Sequence, residues 1–261
     1  MDKEQNQQMK IGITCGDPAG IGPELIVKMF ADHRLLQETT IIAYCPLFLI
    51  NKWKKQLNQE DLPVQTIQNI NQAQLGKLNI VSPKENIEVI EGKPTESSAK
   101  IALWALEKSA EDLAAKTLDG IVTAPVSKQN IHTITPGFTG HTEYYNERFK
   151  AEGALMVLCE ERLKVALATN HIAIKDIPAA VVKDTVVGAI KNLDLMLRQD
   201  FNIIKPKIKK TKSNVNINKY NSMRLLSNNS FIDNNLLLNK NNSFQKIFTI
   251  NDPIIKKIIN E

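Results

Sequence analysis

Between Lys10 and residue 204, short β-branched runs alternate with longer amphipathic segments, and this alternation confines the chain to a few α/β architectures. Lys10–Thr14 (KIGIT), Thr40–Tyr44 (TIIAY), Leu78–Val81 and Gly120–Thr123 (GIVT) read as strands, and Ala154–Leu158 with Lys164–Ala168 as a further apolar pair. Pro23–Phe30, Thr95–Thr117 and Val182–Arg198 read as helices. Pro23 suits a first helical turn, where the missing amide costs no hydrogen bond. In the long helix, Ile101, Leu103, Ala105, Leu106, Ala110, Leu113 and Ala114 recur mostly at helical spacing. Helices interleaved with strands predict an α/β fold around a largely parallel sheet.

After Lys205-Pro-Lys-Ile208 the pattern stops. Residues 205–261 contain no Gly, Ala, His, Cys or Trp, and all eleven glycines lie at or before Gly188. Turns and ligand loops need positive φ, so an enzyme domain of this length without glycine is unexpected. The reading divides the chain into 1–208, the α/β body, and 209–261, a Lys/Asn-rich tail. An AT-rich gene read out of frame yields such a composition, and a frameshift or truncation near residue 208 is the expected origin, with low-complexity disorder as the rival. The tail from Lys205 holds eleven basic against three acidic residues, whereas residues 1–204 hold 22 against 25. The basic balance therefore belongs to the tail. Its lysines do not form a helix face, so no nucleic-acid partner is expected.

Three cysteines, Cys15, Cys45 and Cys159, are widely spaced and match neither a disulfide framework nor a zinc ribbon. The polar start, Met1–Lys10, lacks the apolar core of a secretion signal, and no apolar run approaches the roughly 20 residues of a membrane span. A cytoplasmic protein without a membrane partner is expected.

Three constellations carry chemistry. Ile13-Thr-Cys-Gly-Asp17-Pro-Ala-Gly-Ile-Gly-Pro-Glu24 packs three glycines and two prolines into one strand-to-helix turn. Such a loop can accept an anion on its backbone N–H groups or serve as a structural elbow, and the elbow suits its individual residues better. It does not have the GxGxxG spacing of a dinucleotide loop. Next, Gly120–Lys128 brings Lys128 to the carboxyl edge of the sheet, where α/β enzymes bind ligands, and Gly140-His141-Thr142-Glu143 opens a helix. His141 and Thr142 there can hydrogen-bond a phosphate or carboxylate, or Thr142 can be a plain N-cap and His141 a satisfied surface group. Finally, Val165-Ala-Leu-Ala-Thr-Asn-His171 sets an imidazole just past an apolar strand, a position from which it can reach a metal. One histidine is not a metal site, and His33 and His132 read as structural.

Together, ITCGDPAGIGPE at 13–24, GIVTAPVSK at 120–128, GHTE at 140–143 and LATNHI at 167–172 resemble the 4-hydroxythreonine-4-phosphate dehydrogenase family of vitamin B6 biosynthesis. The resemblance covers roughly residues 10–208, about three-fifths of a full-length member. It implies an isopropylmalate-dehydrogenase-like α/β/α sandwich, here incomplete and followed by an aberrant or disordered tail, and a homodimer. It also implies NAD-dependent oxidation, with decarboxylation, of 4-phosphooxy-L-threonine, a small phosphorylated hydroxy-amino acid, to 3-amino-2-oxopropyl phosphate on the way to pyridoxal 5'-phosphate. A divalent metal (Zn, Mg or Co) would polarise the hydroxyl. His141 and Thr142 match the family's substrate-binding pair, and His171 matches its first metal ligand. The resemblance assigns no catalytic or NAD-contacting residue here.

The family pattern continues with an Asn-Pro-His-Ala-Gly-Glu segment and a later His-Asp-Gln-Gly segment that supply two more metal ligands. Neither occurs in these 261 residues, whose last histidine is His171. Impaired or absent activity is therefore expected, together with an open sheet edge and low solubility. Threonate- or erythronate-4-phosphate oxidation and a non-catalytic remnant that binds a phosphorylated metabolite remain as alternatives.

Overall fold

The computed structural model describes residues 8–84, 88–151, 154–160, 163–170 and 172–201, and the backbone of 208–210, 223–225, 233–238 and 244–249. Its strands are β1 (Lys10–Thr14), β2 (Thr40–Tyr44), β3 (Val64–Thr66), β4 (Leu78–Val81), β5 (Gly120–Thr123), β6 (Ala154–Glu160), β7 (Leu163–Ala166), β8 (Ile208–Lys210), β9 (Met223–Leu225), β10 (Asp233–Leu238) and β11 (Phe244–Thr249). The helices are α1 (Gly22–Phe30), α2 (Arg34–Glu38), α3 (Leu47–Gln56), α4 (Glu96–Ala114), α5 (Lys128–Ile134), α6 (His141–Arg148), α7 (Ile177–Ala180) and α8 (Lys183–Gln199).

One sheet runs in the order β3-β4-β2-β1-β5-β11-β10-β6-β7-β9-β8. Its first five strands pair in parallel. The β2 residues are buried without exception, as are those of β4 and β5, which is the behaviour of parallel strands covered on both faces. From β1 the chain steps to β2 and β4 on one side, then crosses back under α4 to β5 on the other. Right-handed crossovers therefore put α1–α3 on one face and α4 on the other, giving the α/β/α sandwich that the alternation of elements predicts. Ile13, Ile42, Leu78, Ile80, Ile101, Leu106 and Ile121 belong to the main core. A smaller core joins Leu155, Val157 and Cys159 of β6 to Leu193, Met196 and Leu197 of α8.

The far half of the sheet is antiparallel, beyond the largely parallel expectation. Only two residues separate β6 from β7, and a parallel crossover needs a dozen or more. The outer edge of β5, expected to be open, is paired in parallel with β11, and β10 links β11 to β6. An unpaired strand edge is a template for any segment of adequate β-propensity, and Phe244–Thr249 (FQKIFT) has that composition.

Buried polar groups hold the layers in register. The Asn79 amide donates to the carbonyls of Ile41, Gln74 and Lys77 at 2.9, 2.9 and 3.0 Å, while its oxygen accepts from the Gln74 amide at 2.9 Å. The Tyr44 hydroxyl donates to Asp112 Oδ2 at 2.8 Å, tying β2 to α4. Burial and that carboxylate push the Tyr44 phenol far above its ordinary value, so it stays a donor at any working pH.

Candidate functional site

The strand order reverses between β1 and β5, because the loop after β1 leads to one face and the loop after β5 to the other. In open α/β sheets the crevice at the carboxyl end of such a reversal is where ligands bind. Here the two loops are joined backbone to backbone. The Asp17 amide donates to the Pro125 carbonyl at 2.9 Å, and the Ala124 amide to the Thr14 carbonyl at 3.2 Å. Gly16 makes this approach possible: its φ is +67°, and a Cβ there would overlap the Pro125 carbonyl oxygen. A Cβ on Gly22 would likewise overlap the Cys15 carbonyl oxygen. Asp17 is buried, and its Oδ1 accepts from the Ala19 amide at 2.9 Å, so it braces its own turn. The GDPAG loop is therefore the structural elbow.

After β5, the Ser127 hydroxyl accepts from the Asn130 amide and starts α5 at Lys128. Asn130 fastens this short helix to α4: its Nδ2 donates to the Thr95 carbonyl at 3.0 Å and to Ser98 Oγ at 2.9 Å. Thr95 and Ser98 form the capping box of α4, each side chain accepting from the other's amide at 3.1 Å. Lys128 is thereby held beside the crevice by the start of the neighbouring helix.

α6 presents His141, Tyr145 and Phe149 at successive four-residue steps, one stripe along the helix. Tyr145 is fully buried, with its hydroxyl 3.3 Å from Ser109 Oγ of α4, and its ring stacks on Phe149 at 5.9 Å. That anchor turns His141 inward. The residue keeps some exposure, but its Nε2 is enclosed and has no hydrogen-bond partner. Burial first, and the nearby Lys128 ammonium second, lower the His141 imidazole to about 4, so the ring is neutral near pH 7. Gly140 occupies the cap position of α6 and supplies no side-chain cap. Thr142 is thus the second helical residue and not the N-cap, which removes the plain capping role from the two readings of that threonine. A Cβ on Gly140 would stand 3.2 Å from Lys128 Nζ and Cε and 3.2 Å from Glu143 Oε2. The structure brings Lys128, Gly140, His141 and Glu143 together.

His171 lies outside the described residues. Among those described, no group of three or more His, Cys, Asp or Glu side chains is placed to hold a metal ion. The residues on view therefore do not assemble the family's metal site. His132 is structural, its Nδ1 accepting from the Gly137 amide at 3.3 Å. No helix among the described residues is long and apolar enough to cross a membrane.

Sequence reading placed Lys128 at the sheet edge and gave it no role. The signal that would have raised it is the spacing His141-Tyr145-Phe149, which sets the imidazole on the buried side of α6.

The family model described as "Pyridoxal phosphate biosynthetic protein PdxA" matches residues 27–210. A 4-hydroxythreonine-4-phosphate dehydrogenase of Bacteroides thetaiotaomicron is 32% identical over 207 residues, covering 78% of this chain and 56% of that protein. One from Sulfurihydrogenibium sp. is 31% identical over 201 residues, covering 77% and 61%. The crystal structure of a 4-hydroxythreonine-4-phosphate dehydrogenase from Burkholderia phymatum superposes with a TM-score of 0.68 at 22% identity, over 77% of this chain and 62% of that one, and at that identity speaks for the fold alone. The chain thus spans about three-fifths of the length of the curated relatives it matches. With the match running from within α1 through the crevice loop after β5 and α6, the chain belongs to the PdxA family of pyridoxal phosphate biosynthetic proteins.

Proposed function

We propose that this chain binds 4-phosphooxy-L-threonine through His141 and Thr142, and that it derives from an NAD-dependent dehydrogenase oxidising and decarboxylating that substrate to 3-amino-2-oxopropyl phosphate in pyridoxal 5'-phosphate biosynthesis. Its setting would be cytoplasmic, as a homodimer. One observation carries the reading: an enclosed imidazole nitrogen without a partner stands at an uncapped helix start, beside a lysine, at the sheet's reversal point. A buried polar atom left unpaired costs about 1–3 kcal/mol, which a ligand oxygen would relieve. The names of the relatives supply the substrate class, and their greater length leaves the complete reaction as part of the proposal.

NAD, when bound, accepts the hydride; the described residues do the work of holding and orienting the phosphorylated acid. His141 is neutral near pH 7, so it acts there as a hydrogen-bond donor or acceptor and not as a cation. Zn, Mg or Co is the expected ion, with His171 the one residue here that matches a ligand position.

Calorimetry with 4-phosphooxy-L-threonine, joined to an NADH absorbance assay with NAD and each metal, tests the reading. Substrate binding is expected, weakened about tenfold or more in His141→Ala by loss of a hydrogen bond to a charged group. No substrate-dependent NADH is expected from these 261 residues. Absence of binding would overturn the substrate assignment, and NADH production would overturn the three-imidazole ligand set.

A further inference from the structure

We propose that Lys128 supplies the positive charge of a phosphate-monoester pocket at the start of α6, received jointly with His141 Nε2, and that Gly140 is glycine because a side chain there would crowd the Lys128 ammonium. This rests on the substrate class named above and adds a residue the family resemblance does not assign.

Lys128 meets the start of α6 at Gly140 and lies close enough to His141 to act on its charge. In α6 the first helical hydrogen bond runs from the Tyr144 amide to the Gly140 carbonyl at 3.1 Å, so the amides of His141, Thr142 and Glu143 have no acceptor within the helix. Gly140 caps none of them. His141 Nε2, enclosed and unpartnered, is the independent sign of a missing ligand. Lys128 Nζ approaches from α5 to 3.2 Å from the Cβ position of Gly140, and no carboxylate pairs with it among the described residues. Three amides, one imidazole N–H and one ammonium exceed what the two oxygens of a carboxylate use well. They suit the three terminal oxygens of a phosphate monoester.

Charge balance points to the lysine. His141 contributes no charge near pH 7, because burial and Lys128 itself keep it neutral. Among the described residues the other charged group at this spot is Glu143, exposed on the same helix, whose Oε2 stands 3.2 Å from the Gly140 Cβ position. It opposes an anion and, being exposed, can turn to solvent. Without Lys128 the pocket would offer dipoles alone against a carboxylate; with it, the local charge admits a phosphate.

Inorganic phosphate is the probe, followed by calorimetry and by imidazole nitrogen NMR on the full chain. Lys128→Met is expected to weaken phosphate at least tenfold at low salt, whereas Lys128→Arg stays within about threefold. Lys128→Met should also raise the His141 titration from about 4, by less than the whole shift because burial is its larger cause, which checks that the two side chains face each other. Lys128 is exposed and unpaired, so the unfolding midpoint should not change and affinity can be compared on folded protein. Gly140→Ala should lose phosphate with Lys128 intact. Equal phosphate affinity in wild type and Lys128→Met, or no phosphate binding by wild type, overturns the proposal. Phosphate binding that depends on Lys128 in a protein that ignores 4-phosphooxy-L-threonine would uphold it and sink the substrate assignment instead.

Discussion

Replacing Asn130 with alanine cuts the attachment of α5 to α4, and the structure sets the cost. Asn130 is 8% exposed, and its Nδ2 makes two hydrogen bonds, at 3.0 Å to the Thr95 carbonyl and 2.9 Å to Ser98 Oγ. Neither acceptor is orphaned by the change. The Thr95 carbonyl still receives the Ala99 amide at 3.0 Å and the Ser98 hydroxyl at 3.0 Å, while Ser98 Oγ still accepts from the Thr95 amide at 3.1 Å. The loss is therefore two net hydrogen bonds without a desolvation penalty, about 2 kcal/mol in all. Asn130→Asp should cost more, roughly 3 kcal/mol, because an ionised carboxylate cannot donate and faces a carbonyl oxygen. Urea unfolding followed by circular dichroism reads both changes as shifts in midpoint at constant slope. A cycle with Ser98→Ala should return a coupling of about 0.5–1 kcal/mol. Phosphate affinity should fall in Asn130→Ala even though Lys128 is intact, since its helix is no longer pinned. A loss below about 0.5 kcal/mol, the range of an ordinary surface substitution, would refute the claim that this amide anchors α5.

Gly16→Ala combines a left-handed backbone at φ +67° with overlap on the Pro125 carbonyl, and should cost about 3 kcal/mol or more in thermal or urea unfolding. Tyr44→Phe removes the donor to Asp112 while Lys108 still pairs with that carboxylate at 3.2 Å, so a loss of about 1.5 kcal/mol is expected at equilibrium. His141 is held near 4 when folded, below its ordinary 6.5, so the unfolded chain takes up the proton first on acidification. Its contribution leaves stability untouched above the upper value and erodes it between the two, by on the order of 2 kcal/mol at full effect, after discounting for the partly exposed ring. His141→Gln should flatten that part of the stability–pH curve, and an unchanged curve would contradict the enclosure of Nε2.

Much of the parallel half was legible because its strands are short, apolar runs bounded by turn residues: KIGIT, TIIAY and GIVT emerge with the bounds expected of them. The three-residue β3 was not, since Val64–Thr66 is too short to show a period. Nor was α3, where a basic end interrupts the apolar residues and the stripe of Leu49, Ile50, Trp53 and Leu57 spans little more than two turns. At the site, His141 and Thr142 could be named from their motif, but the neighbourhood of the imidazole could not. Lys128 and His141 are thirteen positions apart and meet only because Asn130 and Tyr145 each dock on α4. The cap at Gly140 was also hidden, because a threonine two places later looks like the better capping residue until backbone geometry assigns the position.

The bond from the Asp17 amide to the Pro125 carbonyl has a kinetic meaning. It welds the two rims of the crevice before any guest arrives, so the conformational search is completed during folding and is not repeated at each encounter. Association should then be governed by diffusion and charge steering, with little lag from rearrangement, and the Asp17 amide should exchange its hydrogen only as slowly as the core beneath it opens.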